Sequence, residues 1–351
     1  MGDDIGRFRT NDAAEKLEEM FKWSDIIFVP RLIEGRLISV MDEFRKRGKK
    51  IVTDWDDNIF CINPLSPSYR QFGTEEIRWK MNDGTMLDGW IDGKNIDLAK
   101  NRFQLNALTE AIRWSDAFFV TGDGLKKAYD PIHKNIYVLP NSVDLKLWKK
   151  MSLMPHSDVR MGWFGGNSHY EDWRAIIAPL LTNFMASNPQ VTLVIMGEKW
   201  SSLLEGIDPK RVEFHPWVHI EAYPYKAALL DLDFAVIPLV DNTFNNGKSP
   251  IKWLEMGALE VPCVTSYVKP YNVLNDLVKD NGIFVENSRS GWHEGMTLLA
   301  RDSLLRKRTG EAARETVERF YNADTTWKLW LKAFEEVASS QPQQVPQLSV
   351  L

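Results

Sequence analysis

Apolar residues in this chain gather into short runs with almost no polar interruption. In the first part they are "DIIFVPR" (25–31), "KIVTDW" (50–55), "AFFVTG" (117–122) and "NIYVLPN" (135–141). In the second they are "VRMGWFG" (159–165), "VTLVIMG" (191–197), "RVEFHPW" (211–217), "FAVIPLV" (234–240), "VPCVTSY" (261–267) and "GIFVEN" (282–287). A strand with one wet face alternates apolar and polar positions. A strand covered on both faces does not, so these runs predict parallel strands sandwiched between helices. Stretches with helical spacing, such as "HYEDWRAIIAPLLTNFMAS" and "NDLVKDNG", separate them. The alternation predicts an α/β protein. "KWSDIIFVPR" and "RWSDAFFVTG" repeat one joint, a helix end turning into a buried strand, and no fixed period continues from it.

The alternation breaks near 145–157, where "LPNSVDLKLWKKMSLMPHSD" turns on Pro140 and Asn141 and passes through polar, proline-bearing chain. The break implies two Rossmann-like, doubly wound units, residues 1–150 and 151–325, their parallel sheets facing across a cleft. "DTTWKLWLKAFEEVASS" is expected to give a last helix, 326–340, packing across both units, and "QPQQVPQLSVL" (341–351) a disordered tail. Ligands of open parallel sheets bind beyond the carboxyl ends of the strands, where the strand order reverses.

Composition narrows the classes. A length of 351 residues suits two cores. A net charge of −5 argues against a surface that grips nucleic acid throughout, leaving room only for a local basic groove. No apolar run reaches about 18 residues, so no membrane span is expected. The acidic start "MGDDIGRFRTND" is not a secretory signal. Cys61 and Cys263 read as buried free thiols of a cytoplasmic protein. Fourteen tryptophans point both ways, because indoles pack cores and also stack on sugars and bases.

Two stretches carry candidate chemistry. In "NNGKSPIKWLEMGALEVPCVTS" (245–266), Gly247 permits a tight backbone, Ser249 is a good N-cap and Pro250 suits the first helical position. A helix starting there presents free N–H groups and a positive end, which is an anion site, with the Lys248 charge beside it. Glu255, about a turn and a half in, can accept two hydroxyl hydrogens. A phosphate-bearing ligand with a diol fits; a routine helix start with a solvated lysine fits as well. In "IVTDWDDNIF" (51–60), Asp54, Asp56 and Asp57 end an apolar run. This resembles the Asp-x-Asp start of haloacid-dehalogenase phosphatases, with Thr121 as their second motif, but the later lysine and paired acids are missing downstream. The acids can line one wall of a sugar site, or simply cap a turn. His215 and His219, four apart, would need a helix to share a metal, and Pro216 opposes one.

The chain resembles the retaining glycosyltransferases of group 1 (the GT4 family, GT-B fold). The resemblance rests on "VLPNSVD" (138–144), "GWFGGNSHYEDW" (162–173), "FAVIPLVDNTFNNGKSPIKWLEMGALEVPCVTS" (234–266), "NGIFVEN" (281–287) and "RKRTGEAARETVERFY", and covers most of the second unit. It implies that Glu255 binds the donor ribose and that Ser249, Pro250 and Ile251 bind the pyrophosphate with Lys248 nearby. It places Trp217, with Pro216, near the base. Gly165, Gly166, Asn167 and His169 form the loop facing the phosphates. Two features depart from the family. Its usual Glu-x7-Glu pair has Gly247 at the first position, and its phosphate-neutralising Arg/Lys pair is not visible after "GWFGG".

On the acceptor side, the resemblance puts Asp54, Asp56 and Asp57 near the transferred sugar, where a carboxylate can bind a hydroxyl or stabilise an oxocarbenium-like transition state. "TGDG" (121–124) closes the cleft. "GDDIGRFRT" resembles the segment just after the family's opening strand, which places Arg7 and Arg9 near the acceptor. Residues 78–95 are a candidate lid, with Trp79 and Trp90 for stacking. The implied activity is metal-independent, retaining transfer from a UDP- or GDP-sugar, with no further cofactor, to a carbohydrate, a lipid-linked sugar or modified DNA. The DNA reading is the phage-type variant and would use Arg70, Arg78, Lys80, Lys94, Lys100 and Arg102 as a basic stripe. A GT-B nucleotide-sugar epimerase and a non-catalytic nucleotide-sugar binder would fit the same nucleotide pocket.

Overall fold

A computed structural model describes residues 18–19, 21–31, 41, 43–64, 66, 68–80 and 86–341. Arg7, Arg9 and the tail beyond residue 341 lie outside the described residues. Every apolar run predicted to be a strand forms one. The strands are β1 (Ile26–Pro30), β2 (Lys50–Trp55), β3 (Arg78–Lys80), β4 (Met86–Asp88), β5 (Ala117–Val120) and β6 (Ile136–Val138), then β7 (Val159–Gly165), β8 (Val191–Gly197), β9 (Val212–His215), β10 (Phe234–Ile237), β11 (Cys263–Ser266) and β12 (Ile283–Val285). The principal helices are α1 (Leu98–Trp114), α2 (Asp123–Tyr129), α3 (Ala178–Ser187), α4 (Tyr223–Leu229), α5 (Ile251–Ala258), α6 (Arg289–Arg301), α7 (Ser303–Phe320) and α8 (Ala323–Ser339).

The first sheet is parallel, in the order β1-β2-β5-β6. The second, also parallel, runs β12-β11-β10-β7-β8-β9. Read from the β9 edge, that is the 3-2-1-4-5-6 order of dinucleotide-binding sheets, whose switch point falls between β7 and β10. Strands buried on both faces require helices on both. On one side Trp173, Phe184 and Trp292 pack against Met161, Leu193 and Val264. On the other, Trp253, Leu254 and Val317 pack against Val194, Ala235 and Cys263. Half of the fourteen tryptophans are thus accounted for by burial, with Trp55, Trp114, Trp148 and Trp163 joining these three.

The first sheet is covered on one face by α1 and α2, through Leu108, Ile112, Leu125 and Tyr129. Its other face is covered by α8. The chain crosses back at Val143 and Asn322, where the Val143 N–H donates to Tyr321 O at 3.0 Å and the Ala323 N–H to Val143 O at 3.0 Å. Trp330, Ala333, Phe334 and Val337 then pack on Val52, Ala117, Phe119 and Leu139. The apolar face of α8 is therefore spent on the first sheet, whereas the sequence suggested packing across both units. Residues 78–95, the candidate lid, contain the antiparallel hairpin β3–β4. Cys263 is buried and Cys61 only partly so, both as free thiols. Among the described residues, no helix is long and apolar enough to cross a membrane.

Candidate functional site at the β7/β10 switch point

Helix α5 follows β10 and its loop, so its N-terminus lies at the switch point. Pro250 occupies the cap position, Ile251 opens the helix, and no side chain caps it. Ser249, expected to cap, instead accepts a hydrogen bond from Asn141 Nδ2 at 2.8 Å. The linker between the domains thereby grips the loop, and the first N–H groups of α5, from Ile251 onward, stay open at the positive end of the helix.

Glu255 lies on the same helix. The Tyr223 hydroxyl of α4 donates to its Oε2 at 2.7 Å. Burial raises the Glu255 carboxyl to about 7, opposed by the Tyr223 hydrogen bond and by Lys252. Lys252 is one turn nearer the N-terminus. Desolvation first, and the Lys248 charge second, bring it down to about 7. Its Nζ sits 6.0 Å from the Trp163 ring centre. Lys252, Glu255, His169, Ile237 and Tyr271 line a cavity of about 20 Å³ wedged between α5 and the ends of β7 and β10.

Asp172 joins the two loops of the switch point. Its Oδ1 accepts from the Val240 N–H at 2.8 Å and from Asn245 Nδ2 at 3.1 Å. Its Oδ2 lies 2.9 Å from His169 Nδ1. Burial, then Lys252 and Lys248, hold the His169 pKa well below the ordinary imidazole range. The ring is therefore neutral and donates its Nδ1–H to Asp172. Lys248 Nζ is buried and has no hydrogen-bond partner among the described residues; the Phe244 ring lies 5.0 Å away. Burial lowers its pKa, while Asp172, Asp57 and Glu171 pull it back up.

Of the three aspartates, one faces the second domain. Asp54 Oδ1 accepts from the Arg31 N–H at 3.2 Å, and Asp56 pairs with the Arg31 guanidinium. Asp54 is thus engaged within the first domain, and Asp56 through Oδ2 alone, its Oδ1 being buried without a hydrogen-bond partner among the described residues. Asp57 interacts with Lys248 across the cleft, and burial, then Asp56, raise its pKa against the pull of Lys248 and Arg31. Its loop is held by Tyr129 of α2, whose hydroxyl donates to Asp57 O at 2.9 Å and accepts from the Ile59 N–H at 3.2 Å. Turn capping falls to the neighbour Asn58, whose Oδ1 accepts from the Phe60 N–H at 3.2 Å.

The domains meet closely here. A Cβ on Gly124, in the "TGDG" turn, would lie 2.1 Å from Asn246 O. One on Gly247 would lie 2.9 Å from Leu125 Cδ2 and 3.4 Å from Asn58 Cβ. This explains the glycine where the resembling family has its first glutamate: the position is pressed against the first domain. Asn63 Nδ2 also donates to Glu171 Oε2 at 2.9 Å across the cleft. Beside the N-terminus of α5, a crevice of about 350 Å³ opens between Thr121, Asp123 and Pro140 of the first domain and Lys248, Pro250 and Lys269 of the second.

Around this centre, Gly165 ends β7 and Gly166 caps the short turn Asn167–His169. Asn167 Oδ1 accepts from Trp200 Nε1 at 3.3 Å. Trp217 is 47% exposed, lies over Gly197 at the end of β8 and packs edge-on to Tyr223 with ring centres 6.3 Å apart. Trp90 is not free: its Nε1 donates to Pro64 O at 2.7 Å. Trp79 lies on β3, and its side chain is outside the described residues. Two residues of the basic stripe are compensated, Arg78 beside Glu76 and Asp88, and Lys94 beside Asp88. His215 pairs with Glu213, and His219 is exposed beyond β9, so they do not converge on a metal. Lys252, Asp172, Tyr223 and Asn63 do not stand out in the sequence. For Lys252 a signal is present all the same, since it and Glu255 are three apart and share one helical face.

Two facing Rossmann-type domains, with an open helix end, a half-buried carboxylate and half-buried cations at the switch point, define the GT-B fold. Residues 164–302, within the second domain, match the family model of glycosyl transferases group 1. Sequence comparison with curated proteins gives no match. Several solved structures share the fold. A sucrose-phosphate synthase from Thermosynechococcus elongatus is 15% identical, with a TM-score of 0.60, over 93% of this chain and 78% of that one. S. aureus TarM, in complex with Fondaparinux, alpha-GlcNAc-glycerol and UDP, is 14% identical, with a TM-score of 0.60, over 91% of this chain and 57% of its own. Anabaena HepE, in complex with UDP-glucose, is 13% identical, with a TM-score of 0.57, over 93% and 82%.

Proposed function

We propose that this protein transfers a glycosyl group from a UDP- or GDP-sugar to an acceptor hydroxyl held against the first domain, with retention of anomeric configuration. The observation that carries the reading is the convergence of Glu255, Lys248 and the uncapped N-terminus of α5 at the switch point of a domain matching the group 1 model, opposite Asp57. Structural neighbours bound to UDP and UDP-glucose support the donor class. Retention rests on the family. The acceptor belongs to the carbohydrate or lipid-linked sugar class, because two of the cations that a DNA backbone would need, Arg78 and Lys94, are paired with acids.

The chemistry follows from the placement. Glu255, once ionised, accepts hydrogen bonds from the ribose diol, and Trp217 offers a face to the base. The diphosphate lies at the open end of α5 and leaves with the electron pair of the broken bond to the anomeric carbon. The acceptor oxygen forms the new bond on the face the diphosphate vacates. The nearest base on that face is the departing diphosphate, which takes the hydroxyl proton. Asp57 steadies the positive charge developing on the sugar. Protein cations and helix N–H groups neutralise the leaving group, so no metal ion is needed.

The test is calorimetric binding of UDP and GDP to the wild-type chain and to Glu255→Ala. One nucleotide is expected to bind the wild type and to lose roughly 10- to 100-fold in affinity in the variant, the effect of removing a charged hydrogen-bond acceptor. Equal binding to both proteins would remove Glu255 from the site and contradict the reading.

A further inference from the structure

We propose that Lys252 acts with Lys248 as the cation pair that holds and neutralises the donor's diphosphate, and that Asp172 is the internal counter-charge that keeps both lysines aimed at that subsite. This rests on the donor reading above and adds to it a residue and an electrostatic design.

Enclosing these charges is costly. Two ammonium groups, four residues apart at one end of α5, repel each other; Lys248 Nζ is buried, and the half-buried Lys252 is partly desolvated beside it. Folding tolerates such a pair only where negative charge faces it. Within the protein, both face Asp172, whose oxygens are already engaged by Val240, Asn245 and His169. Asp57 adds charge to Lys248 from the first domain, and Glu255 adds it to Lys252 from within α5. Lys248 Nζ nevertheless makes no hydrogen bond among the described residues. Between the lysines the uncapped end of α5 adds a third source of positive potential. One lysine lines the cavity beside Glu255 and the other the crevice between the domains. A ligand running from Glu255 into the cleft therefore passes both, and a diphosphate is the group with enough charge and acceptor oxygens to satisfy them. His169 is held neutral on Asp172 and becomes a support for that counter-charge, not a phosphate ligand as the sequence suggested.

The pair also makes binding draw protons. Lys252 titrates near neutrality in the free protein, and an incoming diphosphate raises its pKa. At about pH 8, binding should then take up protons from the buffer. The groups facing Lys252 are Lys248 and Glu255 of the α5 region, Asp172 and His169 of the β7 loop, and Tyr223 of α4 through Glu255.

The experiment is calorimetry of uridine and UDP, with guanosine and GDP as the second pair, on wild type and Lys252→Met in buffers of differing ionisation enthalpy. The expected result is a roughly 10- to 100-fold loss of diphosphate affinity in the variant. Nucleoside affinity should be unchanged and proton uptake reduced. Equal losses for nucleoside and diphosphate would mean that Lys252 only shapes the pocket, and would overturn the proposal. Unchanged diphosphate affinity would overturn it too. Failure of the wild type to bind any of the four compounds would overturn the donor reading itself, and is distinguishable from both. Lys252→Arg, which keeps the charge, should recover part of the diphosphate affinity.

Discussion

At the scale of single residues, the site is a set of charges held away from water, and its pH dependence follows from two of them. Glu255 has its carboxyl raised to about 7, above its unfolded value, so the folded state binds the extra proton. Its contribution to stability is full below the unfolded value and is lost as pH rises through about 7. Lys252 is depressed to about 7, so its contribution is lost as pH falls from the unfolded lysine value through that region. Stability of the ligand-free protein should therefore dip near neutrality, by an amount on the order of a few kcal/mol at most. Thermal melts across pH 5 to 10 test this. Glu255→Gln should flatten the acid side of the dip and Lys252→Met the alkaline side; identical profiles in all three proteins would contradict it. Glu255 was legible in the sequence because "KSPIKWLE" follows a strand and a glycine loop. Lys252 was less so: it shares a helical face with Glu255, but a lysine in a first helical turn is ordinarily solvated, and only the close backing of β7 and β10 shows that it is drawn into the site. The aspartates were legible as a group but not individually. Arg31, distant in sequence, engages Asp54 and Asp56 and leaves Asp57 to face the cleft.

At the scale of elements, the parallel strands were readable because burial on both faces leaves an unbroken apolar run. The β3–β4 hairpin was not, since three-residue strands carry too little pattern to stand out. The joint between α2 and the loop before α5 was foreseen only as a closing turn. The structure shows it as backbone pressed on backbone at Gly124 and Asn246. Gly124→Ala puts a methyl carbon where the Asn246 carbonyl lies, and neither backbone can yield cheaply. The domains must then part locally, moving Asp57 away from Lys248. A displacement of about 1 Å at a reacting centre can cost about 100-fold in rate. Gly124→Ala should thus lose transfer activity by at least tenfold while nucleotide affinity, seated in the second domain, changes little. Parallel losses in both would show instead that the turn shapes the donor pocket.

At the scale of the molecule, the two domains are coupled through the crossing at Val143 and Asn322 and through α8, which completes the first domain although it comes last among the described elements. Sequence order alone cannot tell which sheet a terminal amphipathic helix will cover; here the decision is made by the aromatic set of Phe28, Phe119, Trp330 and Phe334. Phe334→Ala should destabilise the first domain by about 2–3 kcal/mol, less than for a fully buried ring because Phe334 is partly exposed. Urea unfolding should show it as a lowered midpoint, and an unchanged midpoint would deny α8 that role. The most direct test of the donor site is a crystal structure of the chain with its nucleoside-diphosphate sugar. The expected complex has the ribose diol on Glu255, the diphosphate between Lys248, Lys252 and the N–H groups opening α5, and the sugar pointing at Asp57. A nucleotide bound elsewhere, or one whose phosphates lie away from both lysines, would contradict it.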